Sequence, residues 1–221
     1  MIEIKNLRKT YGDKTVLDID SLTVKKGEIL VVAGPNGSGK STLLKIIAGV
    51  IKASEGTVVS EGEIFYLPQQ SVPFAKTVRR NLLFAAKDKL NAKERCSTLL
   101  NELALNELAD KNALALSGGE CQRLALGRVL MNKGDCLLLD EPTSAADIEG
   151  GELMEKAIKQ YQAQTGCAII MTTHSPAQAL SFAHRIIMLN RGTIAEQGSA
   201  SELLAEPETD WGKKFVDMWK I

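Results

Sequence analysis

The 221-residue sequence predicts an α/β fold: a mostly parallel core sheet with helices on its faces. Three observations predict it. The runs "EILVVAG", "CLLLD" and "CAIIMTTH" are short and almost wholly apolar, the pattern of parallel strands covered on both sides. Each run ends in glycine or polar residues, which brings Gly34, Asp140, Glu141 and His174 to strand ends, where open α/β sheets bind ligands. Between the first run and a helical stretch lies the glycine-rich "GPNGSGKS".

The elements follow in order. "MIEIKNL" alternates apolar and polar residues as a strand does, and "DIDSLTVKKGEILVVAG" reads as a strand, a Lys-Gly turn and a buried strand ending at Gly34. In "SGKSTLLKIIAGV" apolar residues recur at helical spacing up to Gly49. Gln69 in "IFYLPQQ" lies between a strand and a helical stretch, and residues 72–116 read as mostly helical with no convincing strand. Ser117 followed three residues later by Glu120, ahead of an apolar-periodic run, is the form of a helix capping box. Gly118 and Gly119 leave backbone N–H groups bare at that helix start, a second seat for an anion. In "TDWGKKFVDMWKI", Trp211, Phe215 and Trp219 form an apolar helical stripe, read first as packing on its own domain and second as a partner surface.

Composition narrows the function classes. Lys and Arg number 27 and Asp and Glu 27, so the sequence carries no electrostatic footprint for nucleic acid, and no nucleic-acid partner is expected. Cys96, Cys121, Cys136 and Cys167 form no C-x-x-C pair, and with only His174 and His184 no zinc pattern arises. Reduced thiols in a cytoplasm are expected. The opening "MIEIKNLRKTYGDKT" predicts no secretory signal, and no apolar stretch approaches the ~18 residues of a membrane span. A role at a membrane therefore implies another protein that holds the chain there.

The site chemistry centres on Gly34, Pro35, Asn36, Gly37, Ser38, Gly39, Lys40 and Ser41, which match G-x-x-x-x-G-K-[ST] in full. Glycines let backbone amides curl round a β-phosphate, Lys40 reaches the β- and γ-phosphates, the Ser41 hydroxyl ligates Mg²⁺, and Thr42 can donate to the α-phosphate. Asp140 is placed to hold the same Mg²⁺ and Glu141 to orient or deprotonate an attacking water. His174 could contact the γ-phosphate, although a strand-end histidine is more often structural, as His184 is read to be. Gln69 offers an amide oxygen to the metal, with Gln70 the competing assignment; Gln69 is preferred because it follows Pro68.

Taken in order, GPNGSGKS, YLPQ, LSGGE, CLLLDE, SAAD and TTH resemble the nucleotide-binding subunit of an ABC transporter over nearly the whole chain. The resemblance implies a P-loop NTPase fold of the ABC ATPase type, with an antiparallel β-subdomain and a helical subdomain at about 72–116 inserted into a single domain spanning 1–221. It implies ATP and Mg²⁺ as cofactors. It also implies a head-to-tail sandwich with a second copy of the chain or a related cassette. In that sandwich Ser117, Gly118 and Gly119 cap the γ-phosphate of the partner's nucleotide, and Asp147 of "SAAD" crosses towards the partner's phosphate loop. Every subunit of a symmetric dimer then needs both half-sites, which explains two anion-binding loops in one chain. Tyr11 would stack on adenine, and reads equally as a strand-end aromatic. Pro73, Phe74 and Val78 would face a coupling helix of integral-membrane permease subunits, with a solute-binding protein as a further partner. The expected role is the ATPase of a prokaryotic importer of a small solute or inorganic ion, on the inner face of the membrane; the alternative is a non-transport ABC ATPase in cell division or iron–sulfur assembly. Glu120 stands where many members have Gln, and Ala146 replaces the usual Leu. The stretch between Thr42 and Gln69 is short, so a trimmed β-subdomain is expected.

Overall fold

The computed structural model describes residues 1–219. In chain order the strands and helices are β1 (Ile2–Tyr11), β2 (Lys14–Val24), β3 (Ile29–Ala33), α1 (Lys40–Ile47), β4 (Glu55–Ser60), β5 (Ile64–Leu67), α2 (Val78–Ala85), α3 (Ala92–Glu102) and α4 (Gly118–Leu130). There follow β6 (Cys136–Asp140), α5 (Ile148–Thr165), β7 (Ala168–Thr172), α6 (Pro176–Phe182), β8 (Arg185–Asn190), β9 (Thr193–Ser199), α7 (Ala200–Ala205) and α8 (Asp210–Trp219). They divide between two units, one made of residues 1–66, 135–140 and the chain from Gly166 onward, the other of 67–134 and 141–165.

The first unit contains two sheets. The smaller is antiparallel, ordered β2-β1-β4, with Ile2 opposite Val24 and Ile4 opposite Leu22. Ile2 and Ile4 of β1 and Leu17, Ile19, Leu22 and Val24 of β2 are buried; the alternation shifts phase between Ile4 and Leu7, where Asn6 has a positive φ of 48°, and between Ile19 and Leu22. The larger sheet is ordered β5-β6-β7-β3-β8-β9. Strands β6, β7, β3 and β8 pair in parallel, and every residue of β3, β6 and β7 is buried, as their apolar runs predict. On the far side, β8 and β9 form an antiparallel hairpin through Arg191 and Gly192, both at positive φ, the geometry a tight two-residue turn requires. Only residues 61–63 separate β4, in the small sheet, from β5, in the large one, which matches the short connection read from the sequence.

The C-terminal stripe packs within this unit. Phe215 is buried in α8, stacked on Trp211 (centroids 5.2 Å apart) and tilted against Trp219 (5.4 Å), and the Trp219 indole N–H donates to the His174 carbonyl at 2.7 Å.

The second unit is helical. Thr77 caps α2 by accepting the Arg80 N–H, and Asn81, fully buried, donates its amide to the carbonyls of Phe74 and Thr77 while accepting the Phe74 N–H. Leu82, Leu99, Leu100, Leu103, Leu124 and Leu126 fill the space between helices. Three of the four cysteines are buried, Cys96 in this unit and Cys136 and Cys167 in the first. Burial pushes the Cys136 thiol up to about 12, so it serves as a small apolar side chain rather than a nucleophile.

Candidate nucleotide site

In the first unit β3 runs into Gly34 and the loop ends where α1 begins. Gly39 occupies the helix N-cap at φ 108°, and a Cβ there would lie 2.6 Å from Leu17 Cδ2 and 2.9 Å from the Val16 carbonyl oxygen. At Gly34 a Cβ would meet the Leu189 carbonyl oxygen at 2.3 Å, so only glycine lets the loop lie this close to its neighbours. Lys40 is buried at 6% exposure, and its ammonium donates to the carbonyls of Gly34 (2.8 Å) and Pro35 (3.1 Å). A cation held this deep among the main-chain oxygens of a glycine-rich loop suits a negatively charged ligand. The first turn of α1 has no acidic residue and no side-chain cap, so its N–H groups are left for an anion. Ser38 adds a buried hydroxyl with no hydrogen-bond partner. An orphaned polar atom inside a glycine cradle fits a phosphate group.

Asp140 ends β6 at 2% exposure. One of its carboxylate oxygens accepts from the Ser41 hydroxyl at 3.0 Å and the Thr172 hydroxyl at 2.8 Å, and the other accepts from the Tyr66 hydroxyl at 3.3 Å. Burial, and next the Asp140 charge, push the Tyr66 phenol well above its ordinary value, so it remains a donor to the carboxylate. A buried carboxylate touching the phosphate-loop serine is a hard, all-oxygen donor set, and it fits Mg²⁺.

The second unit carries the other expected residues. Glu141, directly after Asp140 in the chain, has a left-handed backbone at φ 49°. Its carboxylate accepts from the Gln69 side-chain amide at 2.8 Å. Ser117 and Glu120 form the capping box: Ser117 N–H donates to the Glu120 carboxylate at 2.7 Å, and Glu120 N–H donates to the Ser117 hydroxyl at 3.3 Å. Gly118 and Gly119 open α4, and a Cβ at Gly118 would meet nothing within 4 Å, so this face is open to an approaching group. The Asp147 carboxylate accepts the Gly150 N–H at 2.8 Å and so caps the start of α5.

The remaining candidates sit in the first unit. Tyr11, at the end of β1, is 54% exposed, with the Lys9 ammonium 4.7 Å from its ring centroid, so its ring is available for stacking. His174 follows β7 and is exposed. His184 is structural: its Nδ1 accepts the Ile29 N–H at 3.0 Å and its own N–H donates to the Ile29 carbonyl at 2.9 Å, joining the starts of β3 and β8. Gln122 was not singled out from the sequence. It is buried on α4 and binds the loop after Glu141, and a polar residue on the apolar side of "ECQRLAL" is the signal that could have found it.

A lysine inside a glycine loop and a buried aspartate on that loop's serine define a P-loop nucleotide site, and the SGG turn that opens α4 narrows the class to the ATP-binding cassettes. The chain belongs to the ABC transporter family, whose model matches residues 17–144. It is 39% identical to the tungstate uptake system ATP-binding protein TupC of Peptoclostridium acidaminophilum, over 88% of this chain and 97% of that protein. It is 34% identical to the spermidine/putrescine import ATP-binding protein PotA of Mannheimia succiniciproducens over 98% of its length, and spans 62% of PotA. A dimeric ATP-binding cassette in a post-hydrolysis state, bound to ADP and Pi, has the same fold with a TM-score of 0.81 at 29% identity, over 90% of this chain and 99% of that one.

Proposed function

We propose that the chain hydrolyses ATP and, closing on a second copy of itself when ATP binds, drives a separate membrane permease of a prokaryotic importer. The observation that carries the reading is Lys40, held among the carbonyls of the phosphate loop beside the Ser41–Asp140 pair. The loop amides and Lys40 bind the β- and γ-phosphates, and Tyr11 offers a face to the base. Ser41 and Asp140 would hold Mg²⁺, which when bound offsets phosphate charge. Glu141 orients the attacking water and accepts its proton, with Gln69 fixing its carboxylate and His174 placed to contact the γ-phosphate. Ser117, Gly118 and Gly119 act on the nucleotide of the other copy. Among the described residues no helix is long and apolar enough to cross a membrane; the permease is read as a separate partner, as the names of the import ATP-binding relatives suggest. The likeness to TupC and PotA supports import, of an inorganic oxyanion or a small organic cation, with a solute-binding protein delivering the cargo.

Two variants test the ATPase. Glu141→Gln is expected to abolish turnover while retaining Mg-ATP and accumulating a dimer in size-exclusion chromatography; turnover at the wild-type rate would remove Glu141 from the base role. Lys40→Ala is expected to lose nucleotide affinity, and an unchanged ATP Kd by calorimetry would contradict its assignment. The importer is tested by trapping tagged Glu141→Gln with Mg-ATP in membranes of its native host and identifying by mass spectrometry what copurifies. A permease supports the reading; a soluble assembly complex or a division-site protein sinks it and leaves the ATPase standing.

A further inference from the structure

Glu141 is held at both ends by glutamines. Gln69 reaches its carboxylate. At the main chain, the Gln122 amide donates to the Glu141 carbonyl at 3.1 Å while its own oxygen accepts the Ala145 N–H at 2.7 Å. Its Nε2 also lies 3.4 Å from the Ser144 hydroxyl. One side-chain amide therefore closes both ends of the 141–145 loop, giving a donor to the first carbonyl and an acceptor to the last N–H. Gln122 is 8% exposed, so its amide is shielded from water on the helix side. They matter because Glu141 is left-handed at φ 49°, a conformation that a non-glycine residue keeps only where its surroundings impose it. The Ser144 N–H also bonds the Glu141 carbonyl at 3.2 Å, but that bond lies within the loop and moves with it. Gln122 is the tie to a separate element, α4, and that element begins at Gly118 behind its Ser117 cap.

We propose that Gln122 is a positioning residue for hydrolysis. It holds the Glu141 backbone left-handed so that the carboxylate is presented to water. It also links that backbone to the helix whose first residues face the other copy's nucleotide. A displacement of the α4 start on nucleotide binding is passed to Glu141 through this amide. The proposal rests on Glu141 being the base.

The test uses Gln122→Glu and Gln122→Met in the full chain. Gln122→Glu keeps an oxygen for the Ala145 N–H but turns a carboxylate towards the Glu141 carbonyl; Gln122→Met removes both bonds at similar volume. Ala145 is exposed, so its freed N–H can bond water and the fold survives. The readouts are kcat and KM for Mg-ATP, the ATP Kd and Tm, in the wild-type and Glu141→Gln backgrounds. Both variants are expected to lower kcat by about 10- to 100-fold, the scale of an ångström-sized misplacement. KM and Kd should change by less than about twofold. In the Glu141→Gln background residual turnover is expected to fall no further, because the path through Glu141 is already cut. An unchanged kcat overturns the proposal. So does a joint loss of kcat, ATP affinity and Tm, the mark of a structural role, or a further fall in the Glu141→Gln background. Full turnover by Glu141→Gln with Gln122 intact sinks the reading of the base, and the proposal with it.

Discussion

Ser117 caps its helix and, in the proposed dimer, would give up that role to a ligand. While the Ser117 hydroxyl accepts from Glu120 N–H, it satisfies one of the four orphan donors at the start of α4. A phosphate arriving at the same turn would replace that acceptor, so binding and capping exchange one bond for another. The Glu120 carboxyl is held below its ordinary value of 4.5, chiefly by the Ser117 backbone N–H and further by the Ser117 side chain and the Lys111 and Arg123 charges. A depressed folded value means that the stabilisation is present above the unfolded pKa and is lost as pH falls through the folded one. Glu120→Gln keeps an oxygen for the Ser117 N–H and removes the charge. At pH 7 it is expected to be less stable by at most about 0.5 kcal/mol, because the group is partly exposed. That gap should narrow as pH falls below the ordinary carboxyl value of 4.5. Urea unfolding of both proteins at pH 7 and pH 3.5 checks this; a gap that persists at low pH would place the stabilisation elsewhere.

Among the elements, the turn from β3 to α1 is the least tolerant. Gly39→Ala forces a Cβ into φ 108° and against Leu17 and the Val16 carbonyl, one of them fixed backbone. The variant is expected to lose about 1–3 kcal/mol of stability together with ATP binding, because the loop can relieve the clash only by leaving its phosphate-binding shape. Chemical denaturation and calorimetric titration with ATP measure the two losses, and wild-type affinity would show that the loop accommodates the methyl. This turn was legible in the sequence, as were β3, β6 and β7, because a strand buried on both faces must be apolar throughout and a phosphate cradle must be rich in glycine. Other elements were not. In β9, "TIAEQGS", polar residues interrupt the pattern because an edge strand buries one face only partly. The long α5 begins with "IEGGE", whose glycines hide a helix that is started from outside by the Asp147 cap. Gln122 was hidden for another reason: its place on the apolar side of α4 marks it as buried, but the loop that it ties is visible only in the fold.

For the whole molecule the question is why one chain carries two helix starts proposed to bind anions, α1 and α4, in separate units. If α4 served the nucleotide of its own chain, one copy would suffice and two defects could never complement. If it serves the other copy's nucleotide, each composite site takes its phosphate loop from one chain and its Ser117 turn from the other, as an isologous two-fold dimer requires. The two arrangements separate on mixing. Lys40→Ala disables the phosphate loop and spares the α4 turn; Ser117→Arg blocks the turn and spares the loop. Each variant alone has no complete composite site and is expected to be inactive. A mixed dimer has one defective pair and one intact pair. Random exchange of equal amounts makes about half of the dimers mixed, so about a quarter of wild-type turnover is expected to appear. Steady-state ATP hydrolysis after mixing, against each variant alone, measures it. Restored turnover places Ser117 in trans, because neither chain owns both working parts; mixtures as inactive as their components would return Ser117 to the nucleotide of its own chain.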